Sequence, residues 1–178
     1  TNCVVQDDTS WRSPKEIISS ATPSRKDGLL DVKAFYPESF DRIILDPPCS
    51  ALGLRPRLHI DAQSLPDLLR HADYQRAFIR KAVALLKPGG TMTYSTCTIN
   101  ASENEKMVRL ILDENKCMTL VPIKSSCGLP GLSGFGLNQE EASFVRRFDP
   151  SDEAADTMGF FVAKFIKQRS HSNTFERV

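Results

Sequence analysis

Nothing in the 178 residues approaches the run of roughly 18 apolar residues that a membrane-crossing helix needs. Charge is balanced as well, 23 Lys and Arg against 22 Asp and Glu, so no global excess of either sign argues for or against a nucleic-acid partner. The cysteines Cys3, Cys49, Cys97, Cys117 and Cys127 include no C-x-x-C pair, which removes the spacing of a zinc site or a thioredoxin-like motif and predicts no metal. Their odd number, without a disulfide-rich pattern, predicts reduced thiols in a cytoplasmic or nuclear compartment. The start, Thr-Asn-Cys-Val-Val, has neither an initiating Met nor the layout of a signal peptide and opens almost inside a strand, which reads as a fragment of a longer protein. The glycines Gly128, Gly131, Gly134 and Gly136 around Pro130 do not form G-x-G-x-x-G, so a dinucleotide loop is declined in favour of a flexible segment able to close over a site.

What is present is one domain's worth of core, with 40% hydrophobic and 25% charged residues. Its organising stretch is Arg42-Ile-Ile-Leu-Asp-Pro-Pro-Cys-Ser50. The apolar run Ile43 to Leu45 predicts a buried strand of a parallel sheet, stiffened at its exit by Pro47 and Pro48. Asp46 and Cys49 then lie at the carboxyl end of that strand, where open α/β sheets place ligands. Thr91-Met-Thr-Tyr-Ser-Thr-Cys-Thr98 repeats the design and delivers Cys97 at a second strand end.

Between and around these two stretches the chain reads as follows. Asn2 to Asp7 is a short strand with Asp7 or Asp8 at its tip, or else a solvated turn, and Thr9 to Phe40 is a loop-rich insertion. Ala51 to Arg70, broken by Gly53, Pro56 and Pro66, carries Arg55, Arg57, His59 and Arg70, followed by His71. It is either a solvated loop or one whose cations contact phosphates. Asp73 to Lys87 is a helix with an apolar face of Tyr74, Phe78, Ala82 and Leu85 flanked by Ile79, Val83 and Leu86, and with Gln75 on the polar side. Lys87-Pro-Gly-Gly90 stops it, completing a βαβ unit from Arg42 to Thr96. Ser102-Glu-Asn-Glu105 matches a capping box opening a further helix just after Cys97, whose positive end would favour a thiolate there. Thr119 to Ile123 is a strand, Arg146-Arg-Phe-Asp-Pro150 a basic pair ahead of a turn, and Gly159 to Lys167 a strand antiparallel to Thr119–Ile123. Residues 1–167 then form part of one domain and 168–178 a polar tail.

Asp46-Pro-Pro-Cys49, Lys87-Pro-Gly-Gly, Tyr94-Ser-Thr-Cys97-Thr and Glu103-Asn-Glu105, in this order, resemble the Sun/RsmB-type RNA cytosine-5 methyltransferases. Gly159-Phe-Phe-Val-Ala-Lys164 fits their last strand, and Arg147-x-x-Pro150 their usual arginine and proline. Arg55-Pro56, the glycine-rich segment and Arg147-Phe-Asp-Pro150 look most like the branch that methylates tRNA near its acceptor end.

The resemblance implies an α/β class I (Rossmann-like) methyltransferase fold, a mostly parallel sheet with an antiparallel last strand, using S-adenosylmethionine. It implies Cys97 as the nucleophile that adds to the 6-carbon of cytosine and Cys49 as the group that assists product release. Asp46 lies against base and donor, with Pro48 beside it; Asp7 matches the acid on the donor's adenosine; Arg55, Arg57 and Arg147 are candidate RNA contacts. The family's first two strands and glycine-rich donor loop have no counterpart here, so the strand carrying Asp46 is expected to have an unpaired edge and the fragment to bind donor weakly. Alternatives are a catalytically silent RNA-binding fragment of the same fold, another nucleobase methyltransferase with the nucleophile moved to Cys49, and a Cys49–Cys97 disulfide.

Overall fold

The computed structural model describes residues 35–54, 64–153 and 155–170. Strand β1 (Phe40–Leu45) leads by way of helix α1 (Leu65–Leu85) to β2 (Leu86–Thr96), which pairs with β1 in parallel with Leu45 opposite Tyr94. Helix α2 (Glu105–Glu114), β3 (Met118–Val121), the short α3 (Gln139–Phe144), β4 (Arg146–Phe148) and β5 (Phe160–Lys167) complete the sheet, whose order is β1-β2-β5-β3. β5 is antiparallel to β2 along one edge; along the other it is antiparallel to β3 near Lys167 and to β4 near Phe160. Four strands therefore run one way and the last one runs against them, the arrangement expected of this fold class. Among the described residues β1 pairs only with β2, and Ile44 on it is 83% exposed.

The alternation of β5 supplies Phe161, Ala163 and Phe165 to the core, where they meet Met92 and Tyr94 of β2, Ile79, Ala82 and Val83 of α1, and Met107, Val108 and Ile111 of α2. Burial of this cluster is the main stabilising term, at about 25 cal/mol per Å² of apolar surface removed from water.

Several boundaries differ from the sequence reading. α1 begins at Leu65, so Arg70 and His71 ride on a helix and not in a loop. Ser64 accepts from the Asp67 amide while Asp67 reciprocates, and Pro66 suits the first turn, a capping box hidden behind an apparent breaker. Tyr74 and Phe78 turn outward and pack edge to face with centroids 5.0 Å apart, while Gln75 is fully buried. The helix ends at Leu85 with an extended Leu86, and Lys87-Pro-Gly-Gly90 already belongs to β2. Lys167, fully buried at the end of β5, donates to the Val83 and Leu86 carbonyls at 2.9 and 2.8 Å and pairs with Glu38 at 2.9 Å, supplying the cation that helix end lacks.

α2 begins at Glu105, not Ser102, and Asn104 at its cap makes no side-chain cap bond. The glycine-rich segment is tied down: Leu129 exchanges backbone hydrogen bonds with Arg147, Gly131 donates to the Ala142 carbonyl and Leu132 to Glu105. This replaces the expectation of a flexible cover. α3, capped by a reciprocal Asn138–Glu141 box, and the pairing of Arg146–Phe148 as a strand were not anticipated. The strand expected at 2–7, most of the insertion at 9–40 and the tail beyond residue 170 lie outside the described residues.

Candidate active site

Because Leu45 and Tyr94 are paired, β1 and β2 end side by side and their exits run together. The Cys49 and Cys97 sulfurs are 3.3 Å apart, in hydrogen-bonding range and well beyond a disulfide bond; both are free thiols. Asp46 and Pro48 are exposed at the same strand end, with Pro47 buried between them. Burial first, and the Cys97 thiol second, push the Cys49 thiol from 9.0 up to about 11.

Both cysteine loops are braced from beneath by the Glu103-Asn-Glu105 triplet. The fully buried Glu103 carboxylate accepts from the Ser50 amide at 2.9 Å, the Ser50 hydroxyl at 2.6 Å, Gln75 Nε2 at 3.0 Å and Asn100 Nδ2 at 3.0 Å. Gln75 Nε2 also donates to the Pro48 carbonyl, directly ahead of Cys49. The Tyr94 hydroxyl donates to the Glu103 carbonyl at 2.6 Å, with Gln75 Oε1 3.0 Å away. Burial raises this phenol well above 10, and the nearby Glu103, Cys49 and Asp46 push it the same way, so it acts as a fixed donor.

Asn104 grips both flanks of Cys97, accepting from the Thr96 hydroxyl at 2.5 Å and donating to the Thr98 carbonyl at 2.9 Å. Glu105 pairs with Arg147 at 3.4 Å, and the same guanidinium donates to the Ile99 carbonyl. Glu105, the acidic member of the capping-box pattern, is thus drawn away into a buried partnership. Gly53 donates to the Cys97 carbonyl at 3.0 Å and accepts from the Gly159 amide at 2.8 Å, fastening the Cys49 loop to both neighbouring strands.

Of the residues singled out in the sequence, Cys49, Cys97, Asp46 and Pro48 come together at one strand end. Asp7, Arg55 and Arg57 lie outside the described residues. Arg147 is 13% exposed, its guanidinium engaged with the protein's own Glu105 and Ile99. Gln75, Ser50 and Gly53 were not anticipated as parts of the site. Gln75 occupies a position of the buried face, but its polarity argued for the other side; the only available signal was helical phase, since Gln75, Ile79 and Val83 share one face.

The family described as 16S rRNA methyltransferase RsmB/F matches residues 15–166. An Arabidopsis thaliana protein named rRNA (cytosine-C(5))-methyltransferase NOP2C is 47% identical over 75% of this chain and 24% of its own length. The Mus musculus tRNA (cytosine(72)-C(5))-methyltransferase NSUN6 is 40% identical over 81% of this chain and 35% of its own. A crystal structure of NSun6 from Pyrococcus horikoshii with SFG superimposes with a TM-score of 0.60 at 39% identity, over 71% of this chain and 30% of that one. The chain thus spans about a quarter to a third of these relatives. With the match running from the insertion through β5, this chain belongs to the RsmB/F methyltransferase family.

Proposed function

We propose that the full-length protein methylates the 5-carbon of a cytosine in RNA, with Cys97 as nucleophile and Cys49 as its partner in product release. The observation that carries this reading is the 3.3 Å approach of the two sulfurs at the joint end of β1 and β2. The 5-carbon of cytosine is a poor nucleophile. Addition of the Cys97 thiolate to the 6-carbon forms an S–C bond and pushes the electron pair to the 5-carbon, which can then take a methyl group. Loss of the proton from the 5-carbon then expels Cys97 and restores the ring. S-adenosylmethionine, when bound, supplies the methyl as an electrophile on a sulfonium.

The division of labour follows from the environment of each thiol. With its thiol held up to about 11, Cys49 keeps its proton near neutral pH and is placed to donate it towards the Cys97 sulfur. Cys49 then remains beside the adduct, within reach of the sulfur that must leave. Asp46, exposed at the strand exit, hydrogen-bonds the ring edge and supports charge there as the adduct forms. The target cytosine leaves its stack to reach this position.

For the donor, the fit is partial. Asp46 and Pro48 offer one exposed wall, and Asp7 would add the contact to adenosine. Among the described residues β1 has β2 as its one partner and Ile44 is exposed, which supports a pocket completed by parts of the full-length protein beyond them. Arg55 and Arg57 are the proposed phosphate contacts, whereas Arg147 acts through the Ile99 loop that it holds. The names of the relatives support either a tRNA or an rRNA substrate, and the resemblance of residues 55–56 and 128–150 favours tRNA. Two thiols kept reduced suit a cytoplasmic or nuclear setting.

The test is adduct trapping with the full-length protein and a tRNA pool. Cys49→Ala should accumulate a covalent RNA adduct and Cys97→Ala should form none; the reverse pattern would move the nucleophile to Cys49.

A further inference from the structure

Glu103 is hydrogen-bonded to neither sulfur, yet the side-chain network that joins the Cys49 loop to the Cys97 loop, beside the Gly53-to-Cys97 backbone bond, converges on its carboxylate. Ser50, next to Cys49, gives the carboxylate both its amide and its hydroxyl. The Ser50 hydroxyl is also 2.8 Å from Thr98 Oγ1, next to Cys97. Since the Ser50 proton is committed to Glu103, Thr98 must donate to Ser50, and Thr98 in turn accepts from the Asn100 amide. Asn100 closes the ring by donating its side-chain amide to the same carboxylate. One acceptor-only group thus fixes the direction of a closed chain of hydrogen bonds linking the residues next to the two cysteines. Gln75, held by the other carboxylate oxygen, extends the grip to the Pro48 carbonyl.

We infer that Glu103 is a positioning residue that sets the separation of Cys49 and Cys97, by locking Ser50 to Thr98 and Gln75 to Pro48. The inference rests on the catalytic reading for its biological meaning, but the separation itself is measurable without RNA. The carboxylate has two donors on each oxygen: Ser50 Oγ and Asn100 Nδ2 on Oε1, the Ser50 amide and Gln75 Nε2 on Oε2. In Glu103→Gln, whichever way the amide turns, its NH2 faces two groups that donate in the native arrangement. The shape is conserved and the polarity is not, so the loops part before the fold is lost.

The experiment uses the full-length protein and diamide, which takes two protons and two electrons from a pair of thiols, becoming the hydrazine as the S–S bond forms. In the native protein the pair should close rapidly to an intramolecular disulfide, read as loss of alkylation at Cys49 and Cys97 by mass spectrometry. Glu103→Gln should slow closure at least roughly tenfold, the scale of one charged hydrogen bond, while keeping a cooperative thermal transition. Glu103→Asp, which keeps the acceptor charge, should recover part of the rate. Closure at the native rate in folded Glu103→Gln would overturn the inference. Should that variant fail to fold, Ser50→Ala takes its place: slowed closure supports the inference and native closure overturns it. Loss of RNA adduct in Cys97→Ala alongside native closure in Glu103→Gln would leave the catalytic reading standing and this one fallen; adduct formation by Cys97→Ala would sink the catalytic reading whatever the closure rate.

Discussion

A Cβ placed on Gly53 would lie 2.1 Å from the carbonyl oxygen of Gly159, closer than any side chain can approach a backbone. The two glycines are where the Cys49 loop crosses the entry to β5, and the Gly159-to-Gly53 hydrogen bond needs that bare contact.

Gly53→Ala should therefore destabilise the protein by about 1–3 kcal/mol through overpacking, measured by denaturant unfolding. Because Gly53 also donates to the Cys97 carbonyl, the methylation proposed for the full-length protein should fall further than the folded fraction does. Activity that merely tracks the folded fraction would show that the crossing has no part in placing Cys97.

Lys167→Met replaces a buried cation that holds the end of α1 and a carboxylate together. It should cost about 2–3 kcal/mol, below the full penalty of a broken buried pair because Glu38 retains some access to water. A shift in unfolding midpoint corresponding to less than about 0.5 kcal/mol would refute the assigned role.

The alkylation of Cys49 should be slow at pH 8 and rise with an inflection near 11. A thiol that ionises at 9.0 when unfolded and only near 11 when folded binds its proton more tightly in the folded protein. Its contribution to stability is thus complete below pH 9 and is lost as pH rises through about 11. Cys97→Ala should move the Cys49 inflection down without returning it to 9.0, because burial is the larger cause. An inflection at 9.0 in the native protein would show that burial does not hold the proton on Cys49.

Asn104→Ala severs the ties to Thr96 and Thr98 on either side of Cys97. A loss of about 1–3 kcal/mol in stability is expected, with kcat of the proposed reaction falling more than the apparent affinity for RNA, since the change moves the proposed nucleophile. Unchanged kcat would show that Cys97 is held by other means.

On α1, Tyr74→Ala should cost less than about 1 kcal/mol, and Ile79→Ala about 2–5 kcal/mol. The difference in thermal midpoint between the two variants would decide which face of the helix carries the core.

Tyr74 and Ile79 also mark where the sequence could and could not be read. Strands β1, β2, β3 and β5 and the meeting of the two cysteine loops were legible, because apolar runs ending in Asp-Pro-Pro-Cys and Ser-Thr-Cys-Thr leave little freedom in where a strand stops. The phase of α1 was misjudged where aromatic size outweighed a glutamine, whose burial depends on an acceptor, Glu103, contributed from beyond the next strand. The capping box at Ser102 failed for the same reason. Glu105 is paired with Arg147, a partner distant in sequence. Local patterns announce what a side chain can do nearby; they are silent on offers from across the fold.

The reversed strand β5 has a consequence for the order of events in synthesis. β2 lies along one of its edges, with β3 and β4 along the other, so in the described sheet neither β3 nor β4 pairs with an earlier strand. On a ribosome, everything up to Pro150 can emerge while β3 and β4 still lack a strand to join. Phe160–Lys167 then closes the sheet through pairings distant in sequence, the kind that slow folding by requiring long loops to close first. The interval before β5 appears is one in which the edge of β2 is open to other chains, and its length is set by translation speed and not by the stability of the finished protein.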